Sequence, residues 1–499
     1  MISSLSINFS FPLLKPQTIH YGPFKTINIK NRSQMKNYFS DNKKQPKGIN
    51  GSVVPSPKRG NGSERERGQG IGIAKFLQGK NYLVTGATGF LGKVFLEKML
   101  RTAPDVGQIF VLIKAKDKEA ALNRLKTEII DSELLKSLEE VYGKNYKTLV
   151  MSKLVAVPGC VCEYDLGMDP LRANEIAAKV NVIVNSAAST KFDERYDVAL
   201  NSNTKGPSHL LNFAKSCKNI CLFLHISTAY VSDGEAKIIQ ESPLCMGESN
   251  VSRKRNNISE NQTSVPSLDI DNEMRLATNI MELVNDSEVA KEMKILGLER
   301  AKIHGWPNTY SFTKAMGEMI ITSLKGDIPL AIVRPTVIGS TYKEPFPGWI
   351  EGNRMVDPFI LSYGQGKLFG MFADSKVILD MVPVDMVVNA LIAIMAKHVN
   401  FDNPNLTVYH IGSSMINPIS IGDMVDYFYT HFKCCPLSDP KGMILASPRF
   451  DIRNTQKLME EMSDEEIREF WFDLGSINWE EYICNIHIPG LRKRVLKSK

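Results

Sequence analysis

The sequence predicts an α/β protein: a doubly wound parallel sheet followed by a smaller, mostly helical C-terminal domain. Three observations carry this. Short apolar runs alternate with amphipathic stretches from Lys80 onward, a glycine-rich loop joins the first run to the first stretch, and the composition suits a sizeable core. With 43% hydrophobic and 23% charged residues in 499, the chain can fill one large or two ordinary globular cores.

Taken in order, Tyr82–Thr85 is short and apolar enough for a buried strand, and 94–100 repeats its apolar positions as a helix does. Ile109–Ile113 followed by 120–130 repeats the pair, 154–157 adds a third strand, and 180–184 followed by 210–217 adds a fourth unit. The run 221–226 is a fifth strand that ends in hydroxyl residues. A second set comprises 331–333, 387–396 and 408–411. Between the two sets lies 248–272, rich in Ser, Asn and charge, which reads as a disordered insertion or mobile flap. After Pro418 the pattern turns helical and ends in a basic tail, 492–499, read as a solvated end. These boundaries place a cofactor-binding body at 76–415 and a C-terminal domain at 416–499.

The net charge of +7 is misleading about partners. Residues 1–62 contain ten Lys or Arg and a single acid, Asp41, so the rest of the chain is slightly negative and shows no basic nucleic-acid face. That leader, rich in Ser, Asn, Lys and Pro and without a secretory apolar core, has the composition of an organelle transit peptide. Its hydroxyl richness, without an Arg-dominated amphipathic helix, points to the plastid stroma. Residues 63–75 read as a flexible linker. The eight cysteines form neither repeated C-x-x-C pairs nor a zinc pattern with His, so free thiols and no metal are expected. The longest apolar segment, 381–396, is broken by Pro383 and Asp385 and is too short to span a bilayer.

The loop Thr85-Gly86-Ala87-Thr88-Gly89-Phe90-Leu91-Gly92 follows a strand and opens a helix. In that context G-x-x-G-x-x-G brings backbone amides to a pyrophosphate at a helix N-terminus. It resembles the loop of the extended short-chain dehydrogenase/reductase superfamily, whose Rossmann-type sheet is the fold expected here. Thr85, Gly86, Thr88, Gly89, Phe90, Leu91 and Gly92 are the candidate cofactor residues. At the end of the second strand, Lys114 and Lys116 favour the 2′-phosphate of NADPH, although Asp117 lies just beyond.

Tyr-x-x-x-Lys occurs at Tyr21/Lys25, Tyr310/Lys314, Tyr363/Lys367 and Tyr429/Lys433, so the bare pattern decides nothing. Tyr310/Lys314 heads an amphipathic stretch downstream of His225-Ile226-Ser227-Thr228-Ala229-Tyr230, and one helical turn puts both side chains on one face. A carbonyl that accepts hydride needs a proton donor. Tyr310 can serve if Lys314 lowers its pKa from about 10. Thr228, or the adjacent Ser227, would orient the carbonyl oxygen. Asn203 is a fourth candidate, supporting Lys314 through a water or simply capping a helix. A cysteine nucleophile ranks below direct hydride transfer, because no cysteine has a His base beside it in sequence.

Several segments together resemble the plant alcohol-forming fatty acyl reductases, most closely the plastid male-sterility type: 85–93 (TGATGFLGK), 305–319 (GWPNTYSFTKAMGEM), 333–338 (VRPTVI), 344–353 (EPFPGWIEGN), 380–389 (DMVPVDMVVN) and 487–496 (HIPGLRKRVL). The resemblance runs from about Phe76 to the C-terminus. It implies NADPH-dependent reduction of a fatty acyl thioester, on acyl carrier protein or CoA, to a primary alcohol through an aldehyde, feeding the pollen wall or other surface lipids. It also implies that Tyr310, Lys314 and Thr228 are catalytic and that Gly86, Gly89 and Gly92 form the cofactor loop. Two departures stand out: Gly159-Cys160 where the family usually has Asp or Asn after glycine, and a compressed segment between about Cys435 and Phe450 that shortens the C-terminal domain. The apolar loop 346–350 reads either as an acyl-tunnel wall or as core. Rival readings are an extended-type epimerase or dehydratase acting on a nucleotide sugar, and a non-catalytic NADPH-binding partner protein.

Overall fold

The computed structural model describes residues 70–232, 238–256, 267–365, 367–368, 374–399, 406–435 and 450–496. The leader 1–62, linker residues 63–69 and the compressed segment after Cys435 lie outside them.

Seven strands form one parallel sheet: β1 Tyr82–Thr85, β2 Ile109–Ile113, β3 Leu154–Pro158, β4 Val182–Asn185, β5 Leu222–Ile226, β6 Leu330–Pro335 and β7 Thr407–Ile411, in the order β7-β6-β5-β4-β1-β2-β3. The order reverses between β1 and β4, which leaves a crevice outside the carboxyl ends of those strands. Alternate residues feed two cores. Tyr82, Val84, Val111, Val184, Leu224 and Val333 join one face; Leu83, Phe110, Ile183, Phe223 and Ile332 join the other.

The helices that matter for the site are α1 Ile73–Leu77, α2 Phe90–Thr102, α3 Gly206–Ser216, α4 Ile270–Leu283, α5 Asp286–Ile303, α6 Thr309–Leu324 and α7 Val384–Val399. Buried residues ring α7 from Val384 to Ala396, as expected of a helix enclosed by protein. No helix of the described residues is long and apolar enough to cross a membrane. The helical segments after Pro418 share one apolar core with α7 and the sheet.

Three expectations from the sequence are corrected. The end of the linker is docked: Ile73, Phe76 and Leu77 are buried, and Glu466 accepts the amides of Ile71 and Ile73 at 2.9 and 2.7 Å. The polar insertion is helical at both ends, over Asn250–Asn256 and α4; residues 257–266 lie outside the described set. Just beyond it, buried Glu273 on α4 accepts from Tyr196 at 2.8 Å and pairs with Arg300 on α5. The tail also begins docked, with Arg494 paired to Glu133 at 3.1 Å and only 12% of its side chain exposed.

Candidate active site

The glycine loop is built by close backbone approach. Gly86 has φ +70°, and a Cβ there would lie 2.7 Å from the Ser186 carbonyl; one on Gly92 would lie 2.5 Å from the Gly86 oxygen. Gly89 donates to the Gly86 carbonyl at 3.0 Å, and no side chain caps the first turn of α2. This cradle fits a dinucleotide pyrophosphate: the amides of a helix start beside a surface kept free of side chains. Gly86, Thr88 and Gly89 stay at least partly exposed. The other candidates of the loop shape it from below. The Thr85 hydroxyl is bound within the sheet, Phe90 stacks on Trp349 at 5.4 Å, and Leu91 packs against the same core.

Lys114 and Lys116 are exposed and line a cleft of about 430 Å³ with Gly159, Cys160, Glu163 and Gly167. Cys160 thus stands on the wall of the cleft reached by the ends of β2 and β3. Lys116 also lies 3.7 Å from Asp117, whose carboxylate caps the following helix through the Ala120 amide.

The catalytic candidates meet where β5 ends and α6 begins. The Lys314 ammonium is buried and donates to the Ile226 carbonyl at 2.8 Å; burial pushes its pKa down to about 8, against the raising effect of Glu318. Tyr310 is partly exposed, its ring 6.1 Å from that of Phe192. Burial pushes its hydroxyl up to about 12, offset in part by a hydrogen bond with Thr228 and by the charge of Arg354. This differs from the expected lowering by Lys314: burial dominates and raises the phenol, and the Lys314 ammonium is held by the Ile226 carbonyl. The Ser227 hydroxyl is buried with no partner among the described residues.

Asn203 is a clamp. Its amide oxygen accepts from the Ser189 N–H (2.9 Å) and Ser202 (3.2 Å), and its nitrogen donates to the Ser189 carbonyl (3.0 Å) and Thr313 (3.1 Å). The side chain thus ties Ser189 to α6, and its direct partners are Ser189 and Thr313 rather than Lys314.

Sequence reasoning missed a buried polar row beneath the site. The amides of Ser186 and Ala187 donate to the Thr85 hydroxyl (3.2 and 3.1 Å), which donates to Asn185 (3.0 Å), whose amide donates to His225 Nδ1 (3.0 Å). Directionality therefore fixes His225 as the neutral Nε2–H tautomer. Burial, then Lys314 and Arg334, push its pKa down in the same sense. The only signal in the sequence was position: these residues end three neighbouring strands.

A loop after β6 closes the site from the side of α2. Asp385, at the head of α7, accepts the amides of Tyr342, Lys343 and Glu344 at 2.9, 2.8 and 3.0 Å. Trp349 and Ile350 are core residues, so in the 346–350 loop it is packing that accounts for these two. Glu351 pairs with Lys93 of α2 at 2.7 Å. Farther on, His487 bridges Ser340 (3.0 Å) and Asp357 (2.9 Å), all three buried. No cluster of three or more His, Cys, Asp or Glu among the described residues could hold a metal ion.

Fold and site together define a nicotinamide-dinucleotide oxidoreductase of the extended short-chain dehydrogenase/reductase type. The chain matches the profile of a family described as male sterility protein over residues 84–391 and again over 444–498, and it belongs to that family. It is 45% identical to "Fatty acyl-CoA reductase 2, chloroplastic" of Arabidopsis thaliana, covering 86% of this chain and 80% of that protein. It is 36% identical to "Alcohol-forming fatty acyl-CoA reductase" of Simmondsia chinensis, over 85% of this chain and 99% of that one. Among solved structures it is similar to the reductase domain of a nonribosomal peptide synthetase from Mycobacterium tuberculosis, with a TM-score of 0.49 and 20% identity over 80% of this chain and 82% of that one.

Proposed function

We propose that the protein reduces a long-chain fatty acyl thioester, carried on acyl carrier protein or CoA, to a primary alcohol through an aldehyde. NADPH is the reductant, the plastid stroma the compartment, and pollen-wall or other surface lipid the destination. The observation that carries this reading is the convergence of Tyr310, Thr228 and Lys314 where β5 ends and α6 begins, at the same edge of the parallel sheet as the glycine loop after β1. The relatives' names support the substrate class, and the leader's composition supports the compartment.

When bound, NADPH supplies the hydride for each of two successive reductions. The protein's own residues manage the oxygen and the proton. Thr228 holds the carbonyl oxygen beside Tyr310. In the second reduction the Tyr310 O–H bond breaks as the alcohol O–H bond forms, leaving a phenolate to be reprotonated from solvent. In the first, the C–S bond of the tetrahedral adduct breaks as its oxyanion re-forms the carbonyl, leaving the aldehyde and the carrier thiolate, which takes a proton from solvent. Lys314 places positive charge beneath the site, and the buried Thr85-Asn185-His225 row holds the strand ends in register. Lys114 and Lys116 are the residues that would meet a 2′-phosphate.

The test is incubation of the chain from Ile73 onward with NADPH and either palmitoyl-acyl carrier protein or palmitoyl-CoA, with mass spectrometry of the lipid extract. Alcohol is the expected product, and the two donors identify the carrier. Aldehyde alone contradicts the two-step reading. NADPH binding without any product supports a non-catalytic role instead. A reporter fused to residues 1–62 should enter plastids; a cytosolic reporter would contradict the compartment.

A further inference from the structure

Two thiols share one turn at the wall of the cleft that holds Lys114 and Lys116. All eight cysteines are free, and Cys160 and Cys162 follow directly on β3. Cys160 donates its N–H to the Leu166 carbonyl at 2.7 Å, and its own carbonyl accepts from the Glu163 N–H at 3.0 Å, which closes the turn. Inside that turn Cys160 Sγ accepts the N–H of Cys162 at 3.4 Å. The first sulfur therefore lies over the residue that carries the second, and the two thiols are hydrogen-bonded to each other.

The residue between them is fixed. A carbonyl only accepts, so His209 on α3 donates its Nδ1–H to Val161 at 3.0 Å. Val161 is buried, and a Cβ on Gly206 would lie 3.2 Å from its side chain. The thiols on either side are half-buried and reach solvent. Cα atoms two residues apart are separated by at most about 7 Å even in an extended chain, and a turn shortens this into the range that a disulfide bridges. Burial, then Cys160, pushes the Cys162 thiol up to about 12, which leaves Cys160 as the first to attack an oxidant.

We propose that Cys160-Val161-Cys162 is a thiol–disulfide site, oxidised by a low-molecular-weight disulfide such as oxidised glutathione, and that the bridge weakens dinucleotide binding in the adjoining cleft. The Cys160 thiolate attacks one sulfur of the oxidant; a mixed disulfide forms, the oxidant's S–S bond breaks and one glutathione thiolate leaves. The Cys162 thiolate then attacks the Cys160 sulfur and expels the second glutathione. The protein loses two electrons and two protons, and two glutathione thiols gain them. Bridging draws Cys160 Sγ off the Cys162 amide and reshapes a wall shared with Lys114, Lys116 and Glu163. A bridge within reach of solvent is the labile kind that thiols reverse. The effect on binding rests on the reading of this cleft as the cofactor's.

The experiment uses the full chain in glutathione buffers from fully reduced to fully oxidised. After alkylation of free thiols, mass spectrometry of the peptide that holds both cysteines reads the bridge as a loss of two hydrogens, and fluorescence titration reads NADPH affinity on the same samples. The expected result is a bridge that dithiothreitol reverses, with NADPH affinity about tenfold lower in the oxidised form. Cys162→Ser should stop at one glutathione on Cys160, and Cys160→Ser should take up none at Cys162 and bind NADPH equally in both buffers. Two alkylated thiols in every buffer overturn the site, as does a bridge confined to Cys434 and Cys435. A bridge that leaves NADPH affinity unchanged overturns its coupling to the cleft. Lys114→Glu is run beside them: if it binds NADPH as the parent does, the reading of the cleft has failed, while the bridge is still judged by mass. The decisive comparison needs no variant, so loss of folding does not confuse it.

Discussion

The Lys314 ammonium donates to the main-chain carbonyl of Ile226 at 2.8 Å, with 1% of the residue exposed. This one contact ties the middle of α6 to the end of β5 and places a cation where neither the sheet nor the helix needs one for packing. Burial lowers its pKa to about 8 against the ordinary 10.5. At any pH below about 8 the folded protein therefore bears the full cost of a buried charge. Stability rises between about 8 and 10.5, where the unfolded chain holds more protons. Lys314→Met is expected to raise stability at pH 7, by an amount on the order of 3 kcal/mol at most, while abolishing turnover. Thermal unfolding beside an activity assay checks this, and a lower melting temperature would show that the bond to Ile226 outweighs the desolvation.

Glu273 makes the opposite case. Burial pushes its carboxyl upward, but hydrogen bonds from His304, Arg300 and Tyr196 outweigh that and hold it down at about 2. The stability it contributes is present above the ordinary value of 4.5 and is lost as pH falls toward 2. Glu273→Gln leaves Arg300 without its buried partner and is expected to cost about 3 kcal/mol at pH 7. The gap between variant and parent should close in acid. Urea melts at pH 7 and pH 3 measure it: at pH 3, between the two pKa values, the gap should have narrowed by more than half, and an unchanged gap refutes the assignment.

Gly86→Ala should damage the cofactor cradle rather than the sheet. At φ +70° a Cβ meets main-chain atoms of Ser186 at 2.7 Å, which cannot yield as the end of a flexible side chain would. NADPH affinity should fall at least about tenfold, equivalent to about 1.4 kcal/mol. Fluorescence titration of NADPH reads this directly.

Lys114→Glu tests cofactor choice. With a carboxylate placed on the wall of the cleft, the KM for NADPH should rise by about tenfold or more, the worth of a charge-assisted contact, while NADH is affected little. Equal effects on both nucleotides would remove Lys114 from 2′-phosphate recognition.

Much of this molecule is legible in its sequence because strand runs and glycine loops are local. The first two strands begin and end where the apolar runs do, since a strand buried on both faces must be apolar throughout. Gly86 and Gly92 were identifiable because their requirement, absence of a Cβ, is written in the residue itself. Tyr310, Lys314 and Thr228 were chosen as candidates through helical spacing and a strand-end hydroxyl, and they lie where β5 ends and α6 begins. What escaped was polar and distributed. The role of Glu273 was not legible because its partners, Tyr196 and Arg300, are 77 and 27 residues away. Asn203 looked like a support for Lys314, whereas its amide bonds directly to Ser189 and Thr313.

The sequence by itself determined the parallel sheet and the glycine loop, and it singled out Tyr310 and Lys314 as the candidate proton-transfer pair, because each depends on periodicity or on the chemistry of neighbouring residues. Only the tertiary structure decided which charges act on that pair. Lys314 is turned to Ile226 and Tyr310 is governed by its burial, because electrostatic influence depends on distance and burial, and both are set by packing between segments far apart in the chain.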